Sequence, residues 1–379
     1  MISARLIFRY RLSMKVCLLS ITASHYRARV YSEMDKQMDV DFIFGVDSTS
    51  VKRMDTSVLK KSIDVPNKYW GSSKWYYQSG VLSKTRKYDV IINDLGIFCL
   101  TAWLILIRGI FIRQKVYNWD HGWYGRENLI KKILKRIYFG LATGSFIYGD
   151  YAIRLMKENG LNGKKLFPIH NSLDYDSQLR MRKSIKKSTI YSDHFSNSFP
   201  VIIVIGRLNL RKKLNQLIDA LSILKEQGRI FNLVLVGDGE DKVPLQQMVE
   251  KCQLSQQVWF YGACYEESTN AELILNADLC VVPGDIGLTA IHAMMFGIPV
   301  VTHDYFPNQG PEFEVIKDGI TGSFFKHDDV KSLARTIVNW FELHSEDRES
   351  VRTACENEID KNWTPQYQID VLKKVIQSI

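Results

Sequence analysis

The feature that most constrains this chain is a strand-like run, a glycine turn and a helix-like stretch at residues 277–301. The mostly apolar run at 277–282 predicts a short buried strand. Gly284 and Gly287 follow it, and apolar residues then recur at helical spacing until a Gly-Ile-Pro sequence ends the helix. This order places backbone N–H groups at the positive end of a helix dipole, where phosphate groups bind. Such turns are common in α/β proteins, so an ordinary structural turn stays open as an interpretation.

The rest of the chain repeats the same alternation of short apolar runs and helix-like stretches. Strands are predicted at residues 14–20, 40–44, 88–94, 114–119, 142–148, 165–169, 200–205, 232–236 and 258–261. Helices are predicted at 29–37, 128–141, 214–227, 243–252, 330–341 and 368–376, the fifth capped by Asp328 or Asp329. This alternation predicts parallel βαβ units and an α/β fold with two Rossmann-like domains.

The length of 379 residues suits two domains of ordinary size. The first thirteen residues are basic and apolar, but a strand follows at once without a small-residue cleavage site, so we interpret them as an extension and Met14 as an alternative start. A polar, Ser-rich segment separates the two halves. We predict an extension at 1–13, an N-terminal domain at 14–183, a linker at 184–199, a C-terminal domain at 200–350, and a helical tail at 351–379 that packs back toward the N-terminal domain.

Composition narrows the class of partner. A net charge of +9 indicates an anionic partner, and because we find no nucleic-acid-binding motif or basic tail, we expect a membrane surface or phosphorylated substrates. The six cysteines are widely spaced without a CxxC pair, which predicts buried thiols in a reducing compartment. No stretch qualifies as a membrane-spanning helix.

The predicted helix at 128–141 is amphipathic and basic. Its apolar side chains are Ile130, Ile133, Leu134, Ile137 and Leu141, and its cations are Lys131, Lys132, Lys135 and Arg136. The sequence leaves two interpretations open. The cations form either the solvated outer face of a docked helix or a face that contacts an anionic leaflet, which gains on the order of 1 kcal/mol per cation.

Polar residues follow the predicted strands of the first half. Because ligands of parallel sheets bind beyond the carboxyl ends of the strands, we expect His25, Arg27, Asp94 and His121 to converge on one rim. Glycines and aromatic residues flank His121, which leaves open a ligand-binding histidine or a solvated loop histidine.

The second half carries a candidate diphosphate clamp. Arg207, Lys212 and Lys213 follow one strand, and the glycine turn at 284–288 follows another. Cations neutralise phosphate oxygens while helix N–H groups bind the same group, although an exposed basic turn at 211–213 is the alternative. Gly206, Gly237 and Gly262 each stand at the end of a predicted strand. These positions favour a diphosphate site over an exposed basic turn.

These motifs resemble the retaining glycosyltransferases of family 4, which have the GT-B fold. The segments GRLNLRKK, LVLVGDG, VWFYG, ADLCVVPGDIGLTAIHAMMFGIPVV and DGITGSFF match in order and spacing. The resemblance covers most of residues 14–379 and is sharpest over 200–340. It implies two Rossmann-like domains facing each other across a cleft, with a nucleotide-sugar bound by the C-terminal domain and the acceptor presented by the N-terminal domain.

The resemblance also implies roles for individual residues. Arg207 and Lys212 would bind the donor diphosphate, and Lys213 stands where the family usually has glycine. The backbone of 285–288 would hold the distal phosphate, and His121 matches a histidine placed near the transferred sugar. The predicted catalytic residues are His121, Arg207 and Lys212. The predicted substrate-binding residues are Gly206, Lys213, Gly237, Tyr261, Gly262, Gly284, Asp285, Ile286, Gly287, Leu288, His292, Glu312, His25, Arg27 and Asp94, with Tyr261 and Gly262 near the nucleobase.

The chain departs from the family at a pair of glutamates eight positions apart. Gly284 and His292 stand at the matching positions. A histidine can donate or accept a hydrogen bond with the ribose but does not replace a carboxylate, and a helix histidine packed beneath the turn is the alternative. For the donor-sugar carboxylate the sequence offers Asp285, one position along, or Glu312 in the loop after the next strand.

Together these features predict an enzyme that moves a hexose-type sugar from a nucleoside diphosphate sugar to a glycan or polyprenyl-linked glycan acceptor, with retention. We expect a role in surface polysaccharide biosynthesis, such as lipopolysaccharide or capsule, at the cytoplasmic face of the membrane. No metal or other cofactor is expected, because the cations and the helix N-terminus stabilise the leaving diphosphate. A nucleotide-sugar epimerase of the same architecture and a catalytically silent nucleotide-sugar-binding subunit are the alternatives.

Overall fold

The computed structural model describes residues 14–46, 51–71 and 74–378, so the predicted extension at 1–13 lies outside the described residues. The chain divides into two compact units. Unit 1 comprises Met1–His170 and Pro365–Ile379, and unit 2 comprises Asn171–Thr364. Over the described residues, unit 1 contains a sheet of eight strands and unit 2 a sheet of six.

The elements of unit 1 alternate for most of its length. They are β1 (Val16–Ser20), α1 (Ala28–Gln37), β2 (Val40–Val46), β3 (Ser62–Tyr69), β4 (Tyr76–Gln78), α2 (Val81–Lys84), β5 (Val90–Asp94), α3 (Leu100–Ile112), β6 (Lys115–Asp120), α4 (Leu129–Leu141), β7 (Gly144–Ile147), α5 (Asp150–Glu158) and β8 (Leu166–Pro168). The strand order is β4-β3-β2-β1-β5-β6-β7-β8, and every neighbouring pair is parallel except the antiparallel pair β3 and β4.

Unit 2 is a fully parallel sheet with helices between its strands. Its elements are α6 (Tyr175–Ser184), α7 (Ile190–Phe195), β9 (Val201–Ile205), α8 (Leu214–Glu226), β10 (Asn232–Val236), α9 (Lys242–Lys251), β11 (Val258–Gly262), α10 (Glu267–Asn276), β12 (Leu279–Val281), α11 (Thr289–Met295), β13 (Val300–His303), β14 (Gly322–Phe325), α12 (Val330–Leu343) and α13 (Arg348–Asn362). The last helix, α14 (Pro365–Gln377), returns to unit 1. The strand order is β11-β10-β9-β12-β13-β14.

The central strands are buried on both faces because helices cover both sides of each sheet. All five residues of β1, and likewise of β9, are buried, which explains their continuous apolar sequences. In unit 1, one core cluster includes Tyr138 of α4 and Ile91 of β5. The other cluster includes Phe42 of β2 with Ile369 and Leu372 of α14. The terminal helix therefore completes the core of unit 1.

The two sheets confirm the predicted α/β fold with two Rossmann-like domains. The bounds of β10 match the predicted strand, and Asp329 caps α12 by accepting a hydrogen bond from the Ser332 N–H at 2.8 Å. Several elements are not predicted by the hydrophobic pattern of the sequence, and β3 is one of them. Its exposed residues and Pro66 are typical of a strand near the edge of a sheet. The apolar run near residues 97–107 forms helix α3.

The division between the units differs from the predicted linker at 184–199. This segment contains α7, whose Tyr191 is buried and donates its hydroxyl to the Leu273 carbonyl of α10. One apolar side chain in a Ser-rich stretch thus docks the segment onto unit 2, and the boundary falls at His170/Asn171 instead. The predicted tail is also divided, because α13 belongs to unit 2 and α14 to unit 1.

Helix α4 presents a different face from the predicted one. Ile130, Ile133 and Ile137 are exposed, whereas Lys135 is buried and pairs with Glu127 at 2.7 Å. Tyr138 and its neighbour Phe139 take the core positions, because aromatic rings bury more apolar area than the isoleucines. Of the predicted apolar face, Leu134 and Leu141 pack against the core, but the three isoleucines do not, and Lys135 is buried instead of lying on the cationic outer face.

Two further expectations concern thiols and membranes. All six cysteines are free, and Cys17, Cys99, Cys280 and Cys355 are buried, while Cys252 and Cys264 are partly exposed. Burial raises the pKa of the Cys280 thiol to about 12. Within the described ranges, no helix combines the length and the apolar character that crossing a bilayer requires.

Candidate active site

The strand order of unit 2 indicates where a ligand would bind. Strand β9 lies between β10 and β12, so successive crossovers leave it in opposite directions. In open parallel sheets, ligands bind at the carboxyl ends of the strands beside this reversal. The loops at 206–213 and 282–288 start there, at the ends of β9 and β12.

Backbone hydrogen bonds join the loops after β9, β10 and β11. The Gly206 N–H donates to the Val236 carbonyl at 2.9 Å, and the Gly237 N–H donates to the Gly262 carbonyl at 2.8 Å. A Cβ atom on Gly237 would lie 1.9 Å from the Gly206 carbonyl oxygen, so only glycine fits there. These glycines therefore allow three loops to meet at one edge of the sheet.

The glycine turn after β12 packs directly on the basic loop after β9. The Gly284 N–H donates to the Lys212 carbonyl and the Asp285 N–H to the Arg211 carbonyl, both at 2.9 Å. A Cβ atom on Gly284 would lie 1.9 Å from the Arg211 carbonyl oxygen. A glutamate side chain at this position would thus collide with backbone.

The same contacts narrow the predicted phosphate-binding backbone. The Ile286 N–H donates to Gln309 Oε1 at 2.9 Å, so the amides of residues 284–286 are all engaged inside the protein. Among the described contacts, the amides of Gly287 and Leu288 have no such partner, and they immediately precede α11. Gly287 has φ +54°, a conformation that favours glycine.

Lys212 fastens this turn and brings a charge to it. Its Nζ donates to the carbonyls of Asp285 and Ile286 at 2.8 and 2.9 Å. Burial lowers the pKa of the Lys212 ammonium, and the nearby Asp285 carboxylate opposes that shift. An ammonium has three N–H donors. In the described contacts two of them hold the turn, and the third is left for a ligand oxygen.

The two other predicted cations differ in their surroundings. The side chain of Arg207 is exposed, and its nearest carboxylate is Glu240 at 3.5 Å. Lys213 has φ +50° and its Nζ donates to Asp328 Oδ1 at 2.5 Å. The left-handed backbone at Lys213 is a conformation that favours glycine.

Two carboxylates lie beside the turn. Asp285 pairs with Arg211 and accepts the Gly310 N–H at 3.0 Å. Glu312 is buried, and its Oε1 accepts a hydrogen bond from Asn171 Nδ2 at 2.9 Å. A Cβ atom on Gly310 would lie 2.6 Å from Glu312 Oε2 and 3.4 Å from Asp285 Oδ1. Both candidate donor-sugar carboxylates are therefore close to the glycine turn, and both already have protein partners.

His292 contacts a carboxylate that the sequence did not identify. Its Nε2 lies 2.9 Å from Glu267 Oε1, and Gln178 Nε2 donates to the same oxygen at 2.8 Å. Burial raises the pKa of Glu267, but the hydrogen bonds from His292 and Gln178 outweigh it, so the net shift is downward. Glu267 opens α10 and belongs to no motif, so only the folded structure could associate it with His292.

The predicted nucleobase residues lie at the end of β11. Tyr261 is partly buried, and its ring centroid lies 5.1 Å from that of Trp259. Trp259 in turn stacks on His194 of α7 at 3.7 Å. Gly262 joins this strand end to Gly237, so the aromatic group adjoins the three-loop edge.

Unit 1 brings some, but not all, of its predicted residues together. Arg27 and Asp94 form an ion pair at the ends of β1 and β5, and Ser20 Oγ also donates to Asp94 at 2.9 Å. The Arg27 guanidinium lies 4.3 Å from the Trp119 ring. His25 is exposed and lies 3.3 Å from the Lys52 carbonyl, outside this ion pair.

His121 is exposed on the loop after β6, and its ring lies 4.8 Å from that of Tyr148. The buried pair of Lys135 and Glu127 shapes this loop, because Glu127 accepts the N–H groups of Tyr124 and Gly125, each at 2.9 Å. Burial raises the pKa of Glu127, but its hydrogen bonds, that from Lys135 first, lower it overall. The role of His121 at a transferred sugar stays a prediction.

Most of the second unit is similar to a known protein family. Residues 188–358 match the family described as Glycosyl transferases group 1. This segment, a little under half of the chain, is similar to the group 1 glycosyl transferases. The match contains β9 to β14, and with them the basic loop, the glycine turn and Glu267.

Two relatives carry glycosyltransferase names. The chain is 30% identical over 212 residues to the putative glycosyltransferase EpsD of Bacillus subtilis (strain 168), covering 53% of this chain and 54% of EpsD. It is 26% identical over 190 residues to the putative colanic acid biosynthesis glycosyltransferase WcaL of Escherichia coli (strain K12), covering 47% of this chain and 45% of WcaL. The chain thus spans about half the length of these relatives.

A solved structure shows the fold over nearly the whole chain. The HepE protein of Anabaena, crystallised in complex with UDP, superposes with a TM-score of 0.73 at 17% identity. The superposition covers 97% of this chain and 100% of HepE. Together with the group 1 match, this similarity shows the GT-B fold.

Proposed function

We propose that this chain is a retaining glycosyltransferase of family 4 that lacks the usual glutamate pair. It moves a sugar from a nucleoside diphosphate sugar to a glycan acceptor. The observation that carries the proposal is the packing of a basic loop against a glycine turn at the β9/β12 reversal, within the segment that matches group 1. The names of EpsD and WcaL support sugar transfer.

The donor would bind through its diphosphate. Arg207 is exposed and able to reach an anion, and Lys212 has one N–H directed to neither turn carbonyl. The amides of Gly287 and Leu288 complete the set. The HepE structure contains UDP, which supports uridine diphosphate sugars as the first donors to test.

The chemistry follows from these charges. The bond between the sugar C1 and the diphosphate oxygen breaks, and C1 bonds to the acceptor oxygen on the same face. The acceptor hydroxyl gives its proton to the departing diphosphate. Cations and N–H donors fixed in advance around the diphosphate stabilise the charge that develops there, so the scheme requires no metal or second acid.

The carboxylates would recognise the rest of the donor. We assign the donor sugar to Asp285 or Glu312, which flank Gly310 beside the turn. We assign the ribose to His292, whose ring Glu267 orients through Nε2. The Glu267 carboxylate then lies next to His292, the position at which family 4 usually has its second glutamate.

We further propose a place for the reaction. The relative WcaL is named for colanic acid biosynthesis, which supports a role in surface polysaccharide assembly such as lipopolysaccharide or capsule. The acceptor would be a glycan, most simply one linked to a polyprenyl lipid. The enzyme would then work at the cytoplasmic face of the cell membrane as a peripheral protein, in keeping with its net charge of +9.

The test is to incubate the chain with a panel of nucleotide-sugars and lipid-linked acceptors, and to follow diphosphate release and product mass. We expect transfer from at least one donor and a loss of about 100-fold in Arg207→Ala. Arg335→Ala, which removes an exposed arginine from α12, is the matched control.

Three outcomes would contradict the proposal. Release of a free epimerised sugar without an acceptor would indicate an epimerase. Binding of UDP without product formation from any donor would indicate a silent binding subunit. Equal transfer by the wild type and Arg207→Ala would remove the diphosphate clamp from the mechanism.

A further inference from the structure

Helices α3 and α4 each expose a row of large apolar side chains. In α3 the exposed residues Leu100, Leu104, Ile107 and Phe111 recur at helical spacing. In α4 the exposed residues are Leu129, Ile130, Ile133 and Ile137. We call these eight residues the α3–α4 surface.

The two stripes face the same way. Both helices pack their opposite sides into a single core cluster of unit 1, through residues such as Ala102 of α3 and Phe139 of α4. Trp103 of α3 contacts Tyr138 of α4 with ring centroids 5.1 Å apart, so the helices are neighbours. Their remaining sides therefore point away from the sheet together.

The exposure is large for a soluble domain. Phe111 is 82% exposed and Ile130 is 71% exposed, whereas isolated apolar residues on protein surfaces are normally scattered singly. An apolar strip across two adjacent helices, rimmed by polar residues, marks a surface that contacts a partner or a membrane.

The charges around the strip indicate which partner. The sequences of α3 and α4 contain no Asp or Glu. Lys131 and Arg136 of α4 are exposed, and so is Arg113 at the end of α3. An apolar strip with cations beside it and no carboxylate in either helix matches a bilayer surface, where apolar side chains enter the acyl boundary and cations meet anionic headgroups.

We infer that the α3–α4 surface binds an anionic lipid bilayer and lies in its interface. Each helix has 13 residues and is about 20 Å long, which is less than the roughly 30 Å of the hydrocarbon core. The helices therefore lie along the membrane plane. That this bilayer is the cytoplasmic face of the cell membrane rests on the proposed function. That its lipids are anionic rests on the residues of the surface itself.

The test uses flotation of the full chain with vesicles of phosphatidylcholine alone, or with about one third phosphatidylglycerol. We expect binding to the anionic vesicles. The double variant Phe111→Ser/Ile133→Ser should reduce the partition coefficient about tenfold or more, because two apolar side chains no longer enter the bilayer. Leu343→Ser, which removes a side chain 75% exposed in unit 2, should change it little.

A charge pair of variants separates headgroup attraction from apolar insertion. Lys131→Glu/Arg136→Glu should weaken binding to anionic vesicles about tenfold or more, and the effect should shrink as salt is added. The control Lys331→Glu/Arg335→Glu makes the same charge change on exposed residues of α12. Circular dichroism melts of all variants check that each is folded.

Two results would overturn the inference. Equal partitioning of the wild type and Phe111→Ser/Ile133→Ser would show that the surface does not enter lipid. A lipid-free dimer that this variant dissociates would show that a second copy covers the surface.

Transfer assayed with a soluble acceptor on the same samples keeps the two proposals apart. If the full chain transfers sugar but does not bind the vesicles, only the membrane inference is contradicted. If the full chain binds the vesicles but transfers no sugar, only the proposed function is contradicted.

Discussion

The two sheets reverse their strand order in the same way, but they treat charge differently at the carboxyl edge. In unit 1, Arg27 faces Asp94 and Lys135 faces Glu127, so each buried cation has a carboxylate. In unit 2, the partly buried Lys212 is held by the carbonyls of Asp285 and Ile286, and the exposed Arg207 lies 3.5 Å from the Glu240 carboxylate.

Carbonyl oxygens orient an ammonium without neutralising its charge, whereas a carboxylate does both. The Lys212 ammonium in unit 2 thus keeps a donor and a charge for an anionic ligand, while the pairs in unit 1 chiefly fix loops. The same topology supports both arrangements, so the fold alone does not determine which edge binds a phosphate.

The largest expected effect tests the structural pair of unit 1. Glu127→Ala leaves the Lys135 ammonium buried without its carboxylate and should lower the free energy of unfolding by about 3–5 kcal/mol. Urea denaturation measures this loss. Glu158→Ala, which breaks an exposed pair with Arg154, should cost less than about 1 kcal/mol. A similar small loss in both variants would contradict the structural role of Glu127.

The next effect tests Lys212, whose described hydrogen bonds go to carbonyl oxygens and not to a carboxylate. Lys212→Met should reduce the transfer rate about 100-fold, because a donor aimed at the leaving diphosphate is lost. Lys225→Met is a matched control, since Lys225 also donates to a backbone carbonyl, that of Gln253, outside the site. Lys212→Arg should restore part of the rate. Unchanged UDP binding and transfer in Lys212→Met would refute the comparison at this edge.

The pH dependence sharpens the same point. An ordinary lysine has a pKa near 10.4. Burial lowers the pKa of Lys212, so its ammonium loses the proton at lower pH than that. UDP affinity should therefore begin to fall on the alkaline side below that value. Isothermal titration in Lys212→Arg, whose guanidinium stays charged, should show this alkaline loss displaced to higher pH. An identical alkaline limb in both proteins would assign it to another group.

A smaller effect is expected at the Glu267–His292 contact. Glu267→Gln should weaken UDP binding about tenfold by removing the charge that orients His292, whereas Glu266→Gln, at an exposed neighbour, should not. The folded pKa of Glu267 is lowered, so its contribution to stability is present above the unfolded value of about 4.3. That contribution is lost as the pH falls below the unfolded value and through the lower folded pKa, so thermal melts of wild type and Glu267→Gln from neutral pH to well below the unfolded value would reveal it.

The smallest effect concerns the backbone at Lys213. Lys213→Gly should be more stable than Lys213→Ala by about 1 kcal/mol, because glycine adopts the positive φ without a Cβ penalty. Thermal denaturation of the two variants compares them without the Asp328 ion pair in either. Equal stability would mean that the backbone relaxes there. Transfer by both variants also tests whether the Lys213 ammonium assists the donor.

Much of the architecture was readable from local pattern. Continuous apolar runs predicted the central strands such as β9 and β10, since strands covered on both faces need apolar residues throughout. The order of glycine and basic motifs predicted that the basic loop after Gly206 and the turn at 284–288 lie together, and the structure joins them by backbone hydrogen bonds.

The remaining features depended on partners distant in sequence. Periodicity shows that α4 has an apolar face, but Tyr138 and Phe139 fill the core and leave the isoleucines outside. Likewise, nothing local associates Glu267 with His292 or Tyr191 with α10. The sequence by itself determined the α/β class, the strand interiors and the edge where a diphosphate is expected. Only the tertiary structure decided which helix face is buried and which carboxylate meets which base, because both depend on competition for space among elements far apart in the chain.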